Sequence, residues 1–363
     1  MAADVCSLRD VAALASVSTA TVSRVLSGSS HPVAASTRQR VLEAVKELDF
    51  EPNMLASGLA RSRTQVAAVI VHDVMDEYFN EIARGIEDEA YARGYVTVIC
   101  NTDRDPDKEV HYLRKLRALR VDAILFAAGG VRDPRHRAEV DRQLGKVEAA
   151  GGVIVRLAPY PGGRPDVGYS NRLGLSLAVD HLVELGHGAI AFLAGPPGIA
   201  TTTDRLSSMR QAMKRHGLAL ADALIFEGGF SRQGGDRAAA EFVGAGLPAT
   251  AIVAANDQAA IGFMRGLRQR AVDVPGAVSV VGYDDIGPSA FVEPPLTTVH
   301  VPLHDLGVLG MRWALQLLGG GSRCTPIELP LELTVRASTA PPAALQAGQQ
   351  DVQTTDVSGK RLP

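Results

Sequence analysis

Cysteine is scarce in this chain. Three thiols, Cys6, Cys100 and Cys324, are scattered over 363 residues. That excludes a disulfide framework and a metal-ligand cluster of cysteines, and points to reduced thiols in a cytosolic protein. Long apolar runs are missing too. No stretch approaches the roughly 18 consecutive apolar residues of a membrane span. The first ten residues already hold Asp4, Arg9 and Asp10, so no basic start followed by an apolar run marks a secretory signal. Charge of one sign is also lacking. The 37 basic and 40 acidic residues leave a net −3, too little to announce a nucleic-acid binder by charge alone. Enzyme motifs are absent: there is no P-loop, no G-x-S-x-G, no H-E-x-x-H and no strand leading into G-x-G-x-x-G. Nine histidines are scattered. His181 and His187 flank a helix end and read as structural. Asp284-Asp285 reads as a binding acid beside a structural neighbour rather than a catalytic pair. No enzyme activity and no cofactor are expected.

What is present is a globular core. Hydrophobic residues make up 46% and charged residues 21%, ordinary for a packed protein, and the length suggests about two to three domains. Residues 1–50 read as short helices without strands. Residues 51–65 are small and polar, like a linker. From 66 to 337 short apolar runs alternate with amphipathic helices. Strands are expected at Val66–Val71, Val96–Cys100, Ala123–Phe126, Val153–Leu157, Ala189–Leu193, Leu224–Phe226, Ala251–Ala254 and Ser279–Gly282. Continuous apolar strands separated by helices imply parallel sheets covered on both faces, and two successive sets imply two doubly wound subdomains. Ligands in such sheets sit beyond the carboxyl ends of the strands. The tail 338–363, rich in Pro, Gln, Thr and Ala, reads as disordered. Trp313, the single tryptophan, is expected on a helix after the final crossover.

The first fifty residues carry a sharper signal. Leu8, Val11, Ala12 and Ala15 share one face of a first helix, followed by a tight turn at Ser16-Val17. Ser18 is a good N-cap. Val22, Val25 and Leu26 form the buried stripe of a second helix, whose other face shows Thr19, Ala20, Ser23 and Arg24. Two short helices joined so tightly are a helix-turn-helix pattern. The second must enter a groove about 12 Å wide, which favours slim residues in its first turn. A third helix is expected over Thr37–Leu48, capped by Ser36, with Val41, Leu42, Val45 and Leu48 on its core face. Its start, Ser36-Thr37-Arg38, offers free N–H groups, hydroxyls and a guanidinium to a phosphate. Among residues 1–64 seven basic against six acidic side chains leave +1, so placement of the arginines matters more than their number. A plain three-helix bundle without nucleic acid is the alternative on spacing alone.

The segment DVAALASVSTATVSRVLSG resembles the headpiece of the lactose/galactose repressor (LacI/GalR) family of bacterial transcription regulators. The resemblance continues through STRQRVLEAVKELDFEPNMLASGLA and, in the core, through VDAILF, HLVELGH, AFLAGP, VAANDQAAIGFMRGL, VSVVGYDD and EPPLTTV. It spans about residues 7 to 337. It implies a small all-α helix-turn-helix headpiece (1–50) and a hinge (51–64). An α/β core of two doubly wound, periplasmic-binding-protein-like subdomains (65–337) follows. The first subdomain takes about 65–166 and 299–325, the second about 167–298 and 326–337. The resemblance also implies that Thr19 and Ala20 read bases, and that Leu59 wedges into a minor-groove step. Unstacking a step costs a few kcal/mol, offset by contacts to bent DNA. Asn53, Ala56 and Leu59 lie at helical spacing on one edge. Gly58 lowers isolated helix propensity by up to ~1 kcal/mol, which fits a hinge that folds only when bound. Ser16 stands where the family often has glycine, so a positive φ there would be strained.

In the core, the resemblance makes Tyr78, Phe79, Arg205, Phe230, Asn256 and Asp284 candidate effector contacts. Arg205 is expected to open a helix and to fork onto hydroxyls or a carboxylate. Arg156 is the informative departure, because the family usually ends that strand with an aspartate or small polar residue. Val301 and Ala127 likewise replace a glutamine and a polar residue. The expectation is therefore an acidic effector, such as a sugar acid or sugar phosphate, paired to Arg156, with Arg205 as a second candidate partner. The alternative is an internal ion pair of Arg156 with Asp284 or Asp73. The implied function is a homodimeric, effector-controlled regulator on a pseudo-palindromic operator in double-stranded DNA, most simply a repressor of carbohydrate or related catabolic genes, cytoplasmic and without a membrane partner. A solute-binding protein of a sugar transport system is the alternative.

Overall fold

A computed structural model describes residues 6–27, 31–50, 63–160, 163–323 and 325–343. The hinge candidates Asn53, Ala56 and Leu59, and the tail from 344 onward, lie outside the described residues. The chain divides into two units, the N-terminal region and the core.

In the N-terminal unit, α1 (Leu8–Leu14), α2 (Thr19–Ser27) and α3 (Ala35–Glu47) form a small bundle. Ser7 caps α1, and the Asp10 carboxylate in the first turn accepts from the Ser7 N–H at 2.8 Å and from the Ser7 hydroxyl at 2.7 Å. Ser16 turns the chain with φ +52°, the left-handed region in which a residue other than glycine is strained. Ser18 Oγ then accepts from the Thr21 N–H at 3.2 Å, satisfying one of the free donors at the start of α2. Val11, Ala12, Ala15, Val22, Val25, Val41, Ala44 and Phe50 form the core. Two expectations for the third helix need correction. Its N-cap is Ala34 rather than Ser36, so Ser36 lies in the first turn. Leu42 is 50% exposed, and the buried face runs through Val41 and Ala44 instead, since helical spacing of three and four places Leu42 off that stripe.

The core holds the two lobes that the alternating pattern implies. In the first, β1 (Val66–Val71), β2 (Val96–Asn101), β3 (Ala123–Phe126) and β4 (Val153–Arg156) form a four-stranded sheet ordered β2-β1-β3-β4. Helices α4 (Glu77–Ala92), α5 (Pro106–Leu119), α6 (Pro134–Ala149) and α11 (Leu303–Leu318) belong to this lobe. A short parallel pair, β5 (Val167–Tyr169) with β11 (Ile327–Leu329), adjoins it. The second lobe holds β6 (Ile190–Ala194), β7 (Ile225–Glu227), β8 (Ala251–Ala254), β9 (Ser279–Asp284), β10 (Thr297–His300) and β12 (Glu332–Thr334). Their order is β12-β10-β9-β8-β6-β7, with β12 antiparallel. Helices α7 (Asn171–Glu184), α8 (Ala200–Arg215), α9 (Arg232–Gly244) and α10 (Asp257–Gln269) accompany it. Trp313 lies on α11, as expected.

The lobe boundaries shift by a few residues from the sequence reading. The β5–β11 pairing keeps both strands beside the first lobe, so the chain crosses near Ser170 and again at 330–331. Strand β10 belongs to the second sheet, so the return lies at 301–302. The start of the tail is also ordered, contrary to expectation. Ser338 is fully buried; its Oγ donates to Val280 O at 2.6 Å and accepts from Thr297 N at 2.8 Å. His187 Nε2 and Ala340 O lie 2.9 Å apart, and His181 Nε2 and Thr339 Oγ1 the same distance. Both histidines thus hold this segment, the structural role expected of them. Polar backbone pairing, invisible to a composition argument, anchors it.

Packing within the first lobe depends on small residues. Helices α4 and α11 approach so closely that a Cβ at Gly85 would sit 2.0 Å from His304 O. Among the described residues no helix is long and apolar enough to cross a membrane.

Candidate DNA-binding face and effector cavity

The α2 surface carries the expected set. Thr19, Ala20 and Arg24 are exposed and Ser23 is half-buried, and their spacing of one, four and five residues puts them on one face. Val22 and Val25 occupy the opposite, buried face. Ser18 is exposed, and its Oγ acts as the acceptor in the cap. At the start of α3, Ser36 and Arg38 are exposed and Thr37 is half-buried. With Ala34 as cap, the Ser36 hydroxyl is not used in an N-cap bond.

In the core a cavity opens where strand ends of both lobes face each other. The first lobe contributes His72, Asp76, Tyr78, Phe79 and Arg104; the second contributes Thr201, Arg205, Phe230, Asn256 and Asp284. Six of the seven expected effector residues therefore meet in one place. Asp76 caps α4, accepting from the Tyr78 N–H at 3.1 Å, which sets Tyr78 and Phe79 in the first turn. Burial raises the Asp76 carboxyl. The Tyr78 and Tyr169 hydroxyls are 3.1 Å apart. Asn256 caps α10 through its Oδ1, at 3.1 Å from the Ala259 N–H.

Arg205 is the hub. The helix starts at Ala200, so Arg205 lies in its second turn instead of opening it, and is 3% exposed. Its Nε donates to Asn171 Oδ1 at 3.0 Å and its Nη1 to Ala255 O. Its Nη2 donates to Tyr169 Oη at 3.1 Å and Asp284 Oδ1 at 3.0 Å. The guanidinium stacks 4.0 Å from the centre of the Tyr283 ring. Burial disfavours its charge, yet Asp284 and the nearby tyrosines raise its pKa above the ordinary value. Burial pushes the Asp284 carboxyl up, against the pull of Arg205. Two backbone positions in the cavity are strained: Asp284 has φ +110° and Phe230 φ +55°. Non-glycine residues persist there only where the surroundings over-determine them, and such sites cluster at ligand clamps.

Arg156 needs correction. It does not line the cavity. In register with Phe126, it places its guanidinium 5.4 Å from the Tyr160 ring centre, and Tyr160 also packs on Phe126 at 5.9 Å. It forms neither of the ion pairs considered: Asp284 is taken by Arg205, and Asp73 accepts from Met75 N. The residues of these strands that reach the cavity lie beyond it, at Ala127 and Ala158. Sequence reasoning missed His72, Asp76, Arg104, Thr201 and the supporting Tyr169. His72 and Arg104 stand just past the ends of β1 and β2, so the strand-end rule itself was a signal for them.

The lobes are linked on both sides of the cavity. Glu77 accepts from Arg232 at 2.9 Å and from Gln258. Arg132 N donates to Gly198 O at 2.9 Å, and Ala200 N to Gly130 O at 3.2 Å.

Residues 7–53 match the family of bacterial regulatory proteins, lacI family, and residues 179–339 match the periplasmic binding protein-like domain. Catabolite control protein A of Priestia megaterium is 32% identical over 332 residues, covering 91% of this chain and 98% of that protein. The chain belongs to the lacI family. This regulator is similar in structure to the lac repressor dimer bound to operator and the anti-inducer ONPF. The TM-score is 0.79 at 29% identity, over 92% of this chain and 99% of that one. The complex of the transcriptional regulator CelR with cellobiose matches at a TM-score of 0.67 and 29% identity, over the same shares of the two chains. The lacI-family chain is thus a DNA-binding transcriptional regulator and not an enzyme, which sets aside the transport-protein alternative.

Proposed function

We propose that this chain is a homodimeric, effector-controlled repressor of carbohydrate or related catabolic genes. The observation that carries the reading is the pairing, in one chain, of a slim exposed helix face with a strand-end cavity built around Arg205 and Asp284. In the headpiece (1–50), Thr19, Ala20 and Ser23 contact bases by methyl and hydroxyl groups, and Arg24 reaches a guanine edge or a phosphate. Ser18, Ser36, Thr37 and Arg38 hold phosphates and fix register. Asn53, Ala56 and Leu59 of the hinge (51–64) read the minor groove between half-sites. Two headpieces make the site two-fold symmetric. The solved lac repressor dimer on its operator supports this arrangement.

In the core (65–337), Tyr78, Phe79 and Phe230 offer aromatic faces, while Asn256, Asp284 and Arg205 offer polar contacts to vicinal hydroxyls. That chemistry suits a sugar, sugar acid or sugar phosphate, and cellobiose in CelR supports a carbohydrate. The effector bridges both lobes and acts on DNA affinity only through its different affinity for the two hinge arrangements.

Selection of sites from random duplex DNA tests the reading. The full-length protein should enrich a two-fold symmetric site, and Arg24→Ala and Leu59→Ala should each weaken that enrichment. Absence of any enriched site, with and without added cell metabolites, would contradict it.

A further inference from the structure

The cavity holds two guanidinium groups, and they are in opposite situations. Arg205 has all but one of its N–H donors engaged, by Asn171, Ala255, Tyr169 and Asp284. Arg104 makes no hydrogen bond or ion pair with any described residue, and its Nε is buried without a partner. Its guanidinium carbon lies over the Phe230 ring, 6.0 Å from the ring centre.

The acids around Arg104 do not explain it. Asp103 is taken by Lys108 and by Asn101, whose Nδ2 donates at 2.6 Å. Asp105 caps the start of α5 at the Asp107 N–H, 2.8 Å away. Asp73 accepts from Met75 N at 2.9 Å, and Asp76 from Tyr78 N at 3.1 Å. Asp73, Asp76 and Asp103 favour the charge of Arg104 through space, but its burial outweighs them and lowers its pKa, and none of them meets its donors. His72, the other basic group on this wall, has both ring nitrogens engaged, by Thr102 at 3.0 Å and Gly129 O at 2.9 Å. A buried donor left without a partner is costly and rare in a folded protein. Asp103 and Arg104 also sit consecutively in the left-handed region, at φ +53° and +58°.

Resting on the reading that the effector occupies this cavity, we propose that Arg104 forms an anion subsite in it and that the effector carries a carboxylate or phosphate group pairing with this guanidinium. Acid recognition, expected at Arg156, moves to Arg104, three residues past the end of β2. The rest of the effector then lies over Phe230 toward Asn256 and Asp284, where hydroxyls find acceptors. Arg104 belongs to the first lobe and Phe230 to the second, so an anion on Arg104 whose carbon skeleton reaches Phe230 ties the lobes together.

Calorimetric titration with two matched series tests this: ribose, ribonate and ribose 5-phosphate, then glucose, gluconate and glucose 6-phosphate, with inorganic phosphate alongside. In the wild type at least one acid or phosphate ester should bind about tenfold or more tighter than its neutral sugar, the scale of a charge-assisted bond. The carboxylate and phosphate arms separate the two sources of charge. Arg104→Met should reduce the preference to about twofold or less, and Arg104→Lys should keep part of it. Circular dichroism melting of both variants checks folding. Neutral sugars binding as tightly as the anions, an undiminished preference in a folded Arg104→Met, or no binding of any anion at millimolar concentration would each overturn the proposal. Site selection on random DNA with the same wild-type preparation reports separately on the regulator reading.

Discussion

The His72 imidazole is buried between Thr102 and Gly129, and burial, with Arg104 nearby, lowers its pKa to about 4. The Gly129 carbonyl can only accept, so Nε2 carries a proton, while Nδ1 lies 3.0 Å from the Thr102 hydroxyl oxygen. In the unfolded chain the same group has its ordinary value near 6.5. The folded value is the lower one. Between about pH 6.5 and 4 the unfolded chain therefore binds a proton that the folded chain does not, and stability falls as the pH drops through that window. The term amounts to on the order of 3 kcal/mol at its acid limit. Urea denaturation at a series of pH values should show this slope in the wild type and a flatter one in His72→Gln. Equal slopes would contradict the assignment. At the same scale, the sequence marked Ser16 as a place where a positive φ would be strained, and the turn does take φ +52° there. Arg156 was not readable, because its place depends on the register with Phe126 and on Tyr160, four residues further along. Ser338 escaped for a similar reason: its burial is decided by partners on β9 and β10.

Elements were easier to read than residues. The apolar runs at Ala123–Phe126 and Ala251–Ala254 are strands over those same residues, because a short apolar run between amphipathic helices has one good burial solution. Helix starts were less legible. Ala34 caps α3 although two hydroxyl residues follow it; the side chains allow either start, and packing of Val41 and Ala44 selects one. The short β5–β11 pair was not foreseen at all, since three residues carry too little periodicity. The contact between α4 and α11 gives a test at this scale. A methyl at Gly307 would lie 2.1 Å from Ile82 O, so the helices must move apart to admit it. Gly307→Ala should destabilise the protein by about 1–3 kcal/mol or more, the range for overpacking. A urea midpoint equal to or above that of the wild type would show that the helices have slack.

For the whole molecule, the two lobes, their strand-end cavity and the helical headpiece were legible because each follows from hydrophobic pattern and order along the chain. The chemistry inside the cavity was legible in part. Tyr78, Phe79, Arg205, Phe230, Asn256 and Asp284 converge as the resemblance implied, whereas Arg104 emerges only once its neighbours are seen to be spent elsewhere. The links through Glu77 and through Gly130 and Gly198 tie one lobe to the other, and the proposed function makes occupancy of the cavity and the relation of the lobes one equilibrium. Whatever that equilibrium does to operator affinity, bound operator must do equally to effector affinity. All of this rests on two chains reading one symmetric DNA site. Fluorescence-anisotropy titration of the selected duplex, at concentrations well above its dissociation constant, tests that claim most directly. Saturation at two chains per duplex is predicted, with affinity for a scrambled duplex at least about a thousandfold weaker. Saturation at one chain per duplex, or equal affinity for the scrambled sequence, would contradict it.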